Sequence, residues 1–368
     1  MKRILCIINS MNAGGAETFL MKLYRSLNRN KYQMDFCVAT NEKCFYDDEI
    51  CSLGGKIFHI KAKTKNFFSF KKQLTKVVQE NNYKTVLRIS SNAAGFVDLK
   101  IAKKANGCVT IARSSNSSDG GGLISSVSHF LGKKMYLKYV DVKIAPSDLA
   151  AYYTFGEKAT LKGDVVFLKN GIDLTKFKFD ESLRKSVREE LGVERNCFLL
   201  GHIGRFTKQK NHIFIIDVFA YYHSKHYNSK LLLIGVGELE NEIRAKVDSL
   251  GLTNVVIFAG VRHDIPAILS SMDLMIFPSL YEGMPNVIIE SQACGLPCIV
   301  SSTITKEIYI TDLITFQNID LPRKWAETID DISKLDFDRS SYSKVLLENG
   351  YDISDVSTKF INCVFNLK

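Results

Sequence analysis

The chain has 368 residues, of which 46% are hydrophobic and 24% charged, with only six prolines. These are globular values at a length that suits two domains, and they exclude a disordered or fibrous chain. The net charge of +10 is uneven: residues 1–165 hold 26 Lys and Arg against 13 Asp and Glu, and the rest of the chain holds 23 against 26.

Nine scattered cysteines form no C-x-x-C pair, so neither a disulfide framework nor a zinc site is expected, and a reducing cytoplasm fits best. The opening run of Ile4, Leu5, Cys6, Ile7 and Ile8 is too short for a signal peptide and reads as a first strand over 3–9. No apolar run approaches the roughly eighteen residues of a membrane span. After that strand come Gly14 and Gly15 and then a helix through about residue 27. Glycines let a ligand approach the backbone, and a helix N-terminus offers free N–H groups. The turn lacks the G-x-G-x-x-G dinucleotide fingerprint.

Further strands are expected at 34–39, 56–59, 84–89, 108–112, 142–145 and 165–168, with helices between them. Such alternation implies a parallel sheet covered on both faces. Two basic-aromatic segments interrupt it. Residues 61–72 set three Phe among five Lys, and residues 123–140 run apolar with Lys133, Lys134 and Lys138. Both read as segments that lie on an anionic membrane surface, against the competing reading of a loop and a helix with core aromatics. The turn at Lys169-Asn170-Gly171 puts the domain boundary at about 166–175. Residues 174–196 look locally helical with no strong apolar face.

The pattern then restarts, with a strand over 197–204, a turn from Arg205 to Lys210, and a helix at 212–223. Strands follow at 230–234, 255–258, 274–277, 297–300 and 313–316, and a helical tail occupies 324–368 with its last segment beyond Gly350. Gly235-Val236-Gly237 reads as a tight turn, and His202 as a core residue.

Two groups of side chains carry chemistry. Arg205 and Lys210 flank one strand-to-helix turn, and an arginine fork with a lysine point charge suits a diphosphate. Glu282 lies in the loop after the strand at 274–277. Pro285 suits the first turn of the next helix, which Gly295 ends. Asn286 and Glu290 share a face of that helix. The residues alone leave the two acids open to acid/base work, metal binding, or grip on sugar hydroxyls.

Together, Ala13-Gly14-Gly15-Ala16-Glu17, Asn170-Gly171-Ile172-Asp173, Gly204-Arg205 with Lys210-Asn211, and Glu282 with Glu290 eight positions on resemble the retaining GT-B glycosyltransferases of family 4. The resemblance spans essentially the whole chain and points to bacterial enzymes of capsule, exopolysaccharide or O-antigen synthesis. It implies an α/β fold of two Rossmann-like domains facing each other across a cleft. Residues 1–170 would bind acceptor, 171–352 would bind the nucleotide sugar, and a terminal helix at 353–368 would cross back to the first domain. Arg205, Lys210 and Glu282 would be catalytic. Gly14, Gly15, Gly283, Met284, Pro285, Asn286 and Glu290 would bind donor, with Glu282 on the sugar and Glu290 on the ribose. The acceptor side would hold Arg113, Ser115 and Asn170.

The implied reaction moves a hexose or N-acetylhexosamine from a UDP-sugar to a lipid-linked saccharide, with no metal and no cofactor. The enzyme would work in the cytoplasm, peripheral on the inner face of the cell membrane. The sequence departs from the family at residues 110–117, where members often carry a histidine near the donor sugar and this chain has none. Residues 118–122 read as a mobile loop beside the acceptor. Rival expectations are a sugar-nucleotide epimerase or a phosphorylase on the same fold, and a non-catalytic partner of another transferase. Nucleic-acid binding would explain the charge but none of the motifs.

Overall fold

The structure is a computed structural model that describes residues 1–12, 14–115 and 122–367. Residues 118–121 of the expected acceptor loop lie outside them. The chain forms two compact units, one of Met1–Ile172 with Gly350–Lys368 and one of Asp173–Asn349.

The first unit is built on seven strands: β1 Lys2–Ile8, β2 Tyr32–Val38, β3 Ile57–His59, β4 Thr85–Ser90, β5 Val109–Ser114, β6 Val142–Ala145 and β7 Val165–Phe167. All are parallel, in the order β3-β2-β1-β4-β5-β6-β7. Alternate residues of β1 enter opposite cores. Ile4, Cys6 and Ile8 join one, and Leu5 and Ile7 the other, as a sheet buried on both faces requires. The chain end folds into this unit. Ile353 N–H donates to the Ile172 carbonyl (2.9 Å) and Ile172 N–H to that of Tyr351 (2.8 Å). The helix Ile353–Phe360, capped by Asp352 accepting from Ser354 N–H, then packs Val356 and Phe360 against the helix Gly15–Ser26.

The second unit has six parallel strands: β8 Phe198–Ile203, β9 Ser229–Ile234, β10 Val256–Phe258, β11 Leu274–Phe277, β12 Cys298–Ser301 and β13 Ile314–Gln317. Their order is β10-β9-β8-β11-β12-β13. Each sheet therefore reverses its direction of growth beside its first strand, between β1 and β4 and between β8 and β11. Ligands of open α/β sheets bind at the carboxyl edge of such a switch point.

The helical reading of residues 174–196 holds: the helix Glu181–Glu190 turns Val187 and Arg188 inward. It has no strong apolar face, and its packing rests largely on two arginines. Arg184 and Arg188 pair with Asp273 (2.5 and 3.3 Å), and both donate to carbonyls of residues 270–272, at the end of the helix Ile265–Ser271. Basic side chains suit a helix C-terminus, where carbonyls lack partners. One sequence expectation is corrected: residues 61–72 are not one surface segment. Lys63 pairs with the buried Asp98 at 2.8 Å, and the helix Phe67–Glu80 sends Phe70 into the core while Phe67 and Phe68 stay exposed. No helix among the described residues is long and apolar enough to cross a membrane.

Candidate active site

In the second unit, the adjacency of β8 and β11 brings together side chains that lie far apart in sequence. The chain leaves β8 through Gly204 and Arg205, makes a single 3-10 turn at Lys208–Lys210, passes Asn211 at φ +59°, and enters the helix His212–His223. Asparagine is among the few non-glycine residues that accept this left-handed geometry. The loop after β11 is clamped onto this turn. Leu280 N–H donates to the Gln209 carbonyl (2.8 Å), the Gln209 side-chain amide to the Tyr281 carbonyl (2.8 Å), and the Asn211 amide to the Pro278 carbonyl (3.3 Å).

The clamp delivers Glu282 to Lys210. Lys210 Nζ lies 2.6 Å from Glu282 Oε1 and 4.5 Å from the centre of the Phe277 ring, and both side chains are largely shielded, at 18% and 14% exposure. Arg205 stands exposed on the same edge and has no ion-pair partner among the described residues. Gly283 and Met284 are half-buried beside Glu282, and Glu290 is nearly buried in the helix Asn286–Ala293. Pro285 stands one residue before that helix, at ψ 108°, so it caps the first turn instead of belonging to it. The expected diphosphate cations thus differ in state: Arg205 is open to solvent, and Lys210 is held by Glu282.

The turn after β9 closes over the same place. Gly235 has φ +134°, and a Cβ there would collide with the Gly204 carbonyl, so only glycine allows this approach. The sequence marks Asn211, beside Lys210, and shows Gly235 as part of a tight turn; Gln209 carries no signal of its own.

Beneath Lys210 lie two buried imidazoles. His202 Nδ1 donates to the Ile276 carbonyl (2.8 Å), which leaves Nε2 as the unprotonated nitrogen, and the His202 and His212 rings meet edge to face at 4.7 Å. Burial, and then the Lys210 charge, push His212 down to about 4. Burial, then His212, with Lys210 a further contribution, hold His202 well below its ordinary range. Both histidines are therefore neutral at pH 7, and the floor of the site adds no cation to Lys210. A histidine depressed on folding gives stability that is complete above the unfolded value near 6.5 and is lost as pH falls through the folded value. His212 alone is expected to remove about 3 kcal/mol between pH 7 and pH 4. Urea unfolding at a series of pH values checks this. His212→Phe should flatten the acid slope, and an unchanged slope would refute the assignment.

In the first unit, Gly14 is the N-cap of the helix Gly15–Ser26, with Glu17 in the first turn. That carboxylate already occupies the positive end of the helix dipole, so the turn suits a hydroxyl-bearing ligand better than a phosphate. Arg113 is the last residue but one of β5 and is only 2% exposed. Its guanidinium stacks 3.6 Å over the Phe19 ring and donates to Asn170 Oδ1 at 2.6 Å. Burial pulls it down to about 9, so it stays charged at neutral pH. It reaches the sheet edge through Asn170. Ser115 lies half-buried just past the strand, with its N–H donating to the Ser90 carbonyl at 3.2 Å. Among the described residues, no group of three or more His, Cys, Asp or Glu is placed to hold a metal ion.

Two parallel-sheet units, one with Arg205 and the Lys210–Glu282 pair at its switch point, match the GT-B fold of glycosyltransferases. The profile of the family described as Glycosyl transferases group 1 matches residues 197–334. The chain is 31% identical over 373 residues to the putative glycosyltransferase EpsF of Bacillus subtilis (strain 168), covering 100% of this chain and 97% of that one. It is 36% identical over 140 residues to the UDP-Gal:alpha-D-GlcNAc-diphosphoundecaprenol alpha-1,3-galactosyltransferase of Escherichia coli, covering 37% of this chain and 36% of that one. Among solved structures, Anabaena Alr3699/HepE in complex with UDP and glucose superposes with a TM-score of 0.80 at 19% identity, covering 100% of both chains, and so shares the fold. The chain belongs to the group 1 glycosyl transferases and is a glycosyltransferase.

Proposed function

We propose that the protein is a retaining, metal-independent transferase. It moves a hexose or N-acetylhexosamine from a UDP-sugar to a lipid-linked saccharide during surface-polysaccharide synthesis, at the cytoplasmic face of the cell membrane. The observation that carries this reading is the shielded Lys210–Glu282 pair, with Arg205 open beside it, at the carboxyl edge of β8 and β11. Negative charge grows on the diphosphate as the glycosidic bond to the nucleotide breaks. Lys210 offsets that charge from a position Glu282 fixes before the donor arrives, where electrostatic stabilisation acts most strongly, and Arg205 adds its charge from the open edge beside it. Those two cations do the neutralising that a divalent ion does elsewhere.

Glu282, able to accept from two hydroxyls at once, holds the donor sugar, with the Gly283 and Met284 backbone beside it. Pro285 and Asn286 shape the start of the helix, and Glu290 takes the ribose. Gly14 and Gly15 offer backbone to the sugar, while Asn170, oriented by Arg113, and Ser115 serve the acceptor. Support for the substrates comes from two proteins this chain is similar to. The Escherichia coli enzyme is named for UDP-Gal and a diphosphoundecaprenol acceptor, and HepE is described in complex with UDP and glucose.

The test is the anomeric configuration of the product. Proton NMR should show the linkage keeping the donor's α configuration, at a rate indifferent to EDTA. An inverted linkage, or activity lost to EDTA and restored by a divalent ion, would contradict the reading.

A further inference from the structure

The helix Leu123–Tyr136 is packed with its polar side inward. The Asn92 amide donates to the Ser125 carbonyl (3.0 Å) and to Ser128 Oγ (3.1 Å). Ala93 N–H donates to His129 Nδ1 (3.2 Å), so the ring proton sits on Nε2, which donates to the Tyr153 carbonyl (3.0 Å). Lys133 Nζ donates to that same carbonyl at 2.8 Å, and burial lowers its pKa. Gly132 lies so close to the Ala93 and Ala94 backbone that a Cβ would collide with it. The helix is thus held to the first unit by hydrogen bonds and one close backbone approach.

Its other face is apolar and points to solvent. Leu123 and Ile124 are 86% and 87% exposed, Val127 and Phe130 57% and 67%, and Leu131 and Met135 are nearly half exposed. These positions recur at helical spacing, and Lys134 and Lys138 stand exposed among them. A surface helix ordinarily buries its apolar stripe, and a contiguous exposed stripe marks a contact surface.

We propose that this face inserts into the surface of an anionic lipid bilayer. Leu123, Ile124, Val127, Phe130, Leu131 and Met135 enter the acyl boundary, and Lys134 and Lys138 reach the lipid phosphates. At 14 residues the helix is too short to span, so it lies in the plane of the interface. Charge selects lipid over a protein partner. Residues 123–140 contain no carboxylate, and two of their three lysines, Lys134 and Lys138, are exposed while Lys133 is turned onto the Tyr153 carbonyl; the half-chain around them holds 26 Lys and Arg against 13 Asp and Glu. The structure moves the main contact away from residues 61–72, where Phe70 is core and Lys63 is paired with Asp98.

This inference deepens the membrane-face reading above, and it can fail while the transferase reading stands. The test is co-sedimentation of the full chain with vesicles of phosphatidylethanolamine containing a quarter phosphatidylglycerol, against vesicles of phosphatidylcholine alone. The variant Ile124→Ser/Val127→Ser/Phe130→Ser should lower binding to the anionic vesicles by about tenfold or more. It should keep wild-type circular dichroism and wild-type transfer to a water-soluble acceptor analogue. The variant Lys134→Gln/Lys138→Gln should reduce the preference for anionic vesicles severalfold. As a depth probe, the emission of Phe130→Trp should be quenched by lipids brominated on the acyl chains, with the buried Trp325 as the unquenched background. Unchanged vesicle binding by the triple serine variant, or no quenching, overturns the proposal. So does wild-type dimerisation that the serine variant abolishes while vesicle binding persists, because the face would then meet a second copy.

Discussion

Replacing Lys210 with alanine is expected to lower kcat for sugar transfer about 100- to 1,000-fold, the range seen when one preorganised electrostatic donor is removed from an active site. The ammonium is held 2.6 Å from Glu282 and 4.5 Å from the Phe277 ring centre, so water does not readily take its place. Lys210→Arg should restore only a small part of the rate. A planar fork has neither the shape nor the reach of a compact ammonium packed over an aromatic ring. Glu282→Ala should cost a comparable factor, because it removes the proposed grip on the sugar and frees Lys210 from its position. The double variant should then be much less impaired than the product of the two single effects, since contacting residues do not act additively. Arg205→Ala, at an exposed position, should reduce the rate without altering stability. Initial rates of nucleotide release with saturating acceptor measure all five variants. Strict additivity of Lys210 and Glu282 would mean that the pair is not a functional unit.

Asp98→Ala should destabilise the first unit by about 3–5 kcal/mol, a large share of the roughly 5–15 kcal/mol that holds a domain folded. Asp98 is 1% exposed and answers two shielded cations, Arg88 Nε at 3.0 Å and Lys63 Nζ at 2.8 Å. Removing it strands both, and an uncompensated buried charge costs far more than the pair contributes. The change would also reach the switch-point edge. Arg88 donates to the Ile7 carbonyl (3.1 Å) and to Asn9 Oδ1 (2.7 Å), which fixes the chain as it leaves β1 toward Gly14. Lys63→Met should cost much less, because Arg88 keeps its carboxylate. Urea denaturation, read from the midpoint at constant slope, tests this. A midpoint for Asp98→Ala within about 1 kcal/mol of wild type would refute the account of this network.

Most of the strand framework was legible in the sequence, because a strand of a doubly covered parallel sheet is a short, nearly continuous apolar run. The expected strand at 274–277 is β11, Leu274–Phe277, and the strand at 142–145 is β6, Val142–Ala145. Hydropathy does not report which face of a helix is buried when polar side chains pack inward, as they do in Glu181–Glu190 and Leu123–Tyr136. What decides each is a set of partners distant in sequence: Asp273 and residues 270–272 for the first, and Asn92, Ala93 and Tyr153 for the second.

The candidate site shows the same division. The residue types and the spacing of Arg205, Lys210, Glu282 and Glu290 were visible in the chain. The pairing of Lys210 with Glu282 was not, since it joins positions 72 residues apart and depends on β8 lying beside β11. The clamp by Gln209 and Asn211, and the neutral imidazole floor, follow from that same adjacency.

In the proposed reaction, the edge of β8 and β11 holds a nucleoside-diphosphate sugar for transfer. Its most direct test is a nucleotide-release assay with UDP- and GDP-sugars, run with and without a diphospholipid-linked saccharide acceptor. Rapid UDP release is expected from one UDP-sugar only when acceptor is present, and none at comparable rate from the Glu282→Ala, Lys210→Ala or Arg205→Ala variants. Turnover of a UDP-sugar to its epimer without acceptor, or full activity in all three variants, would contradict it.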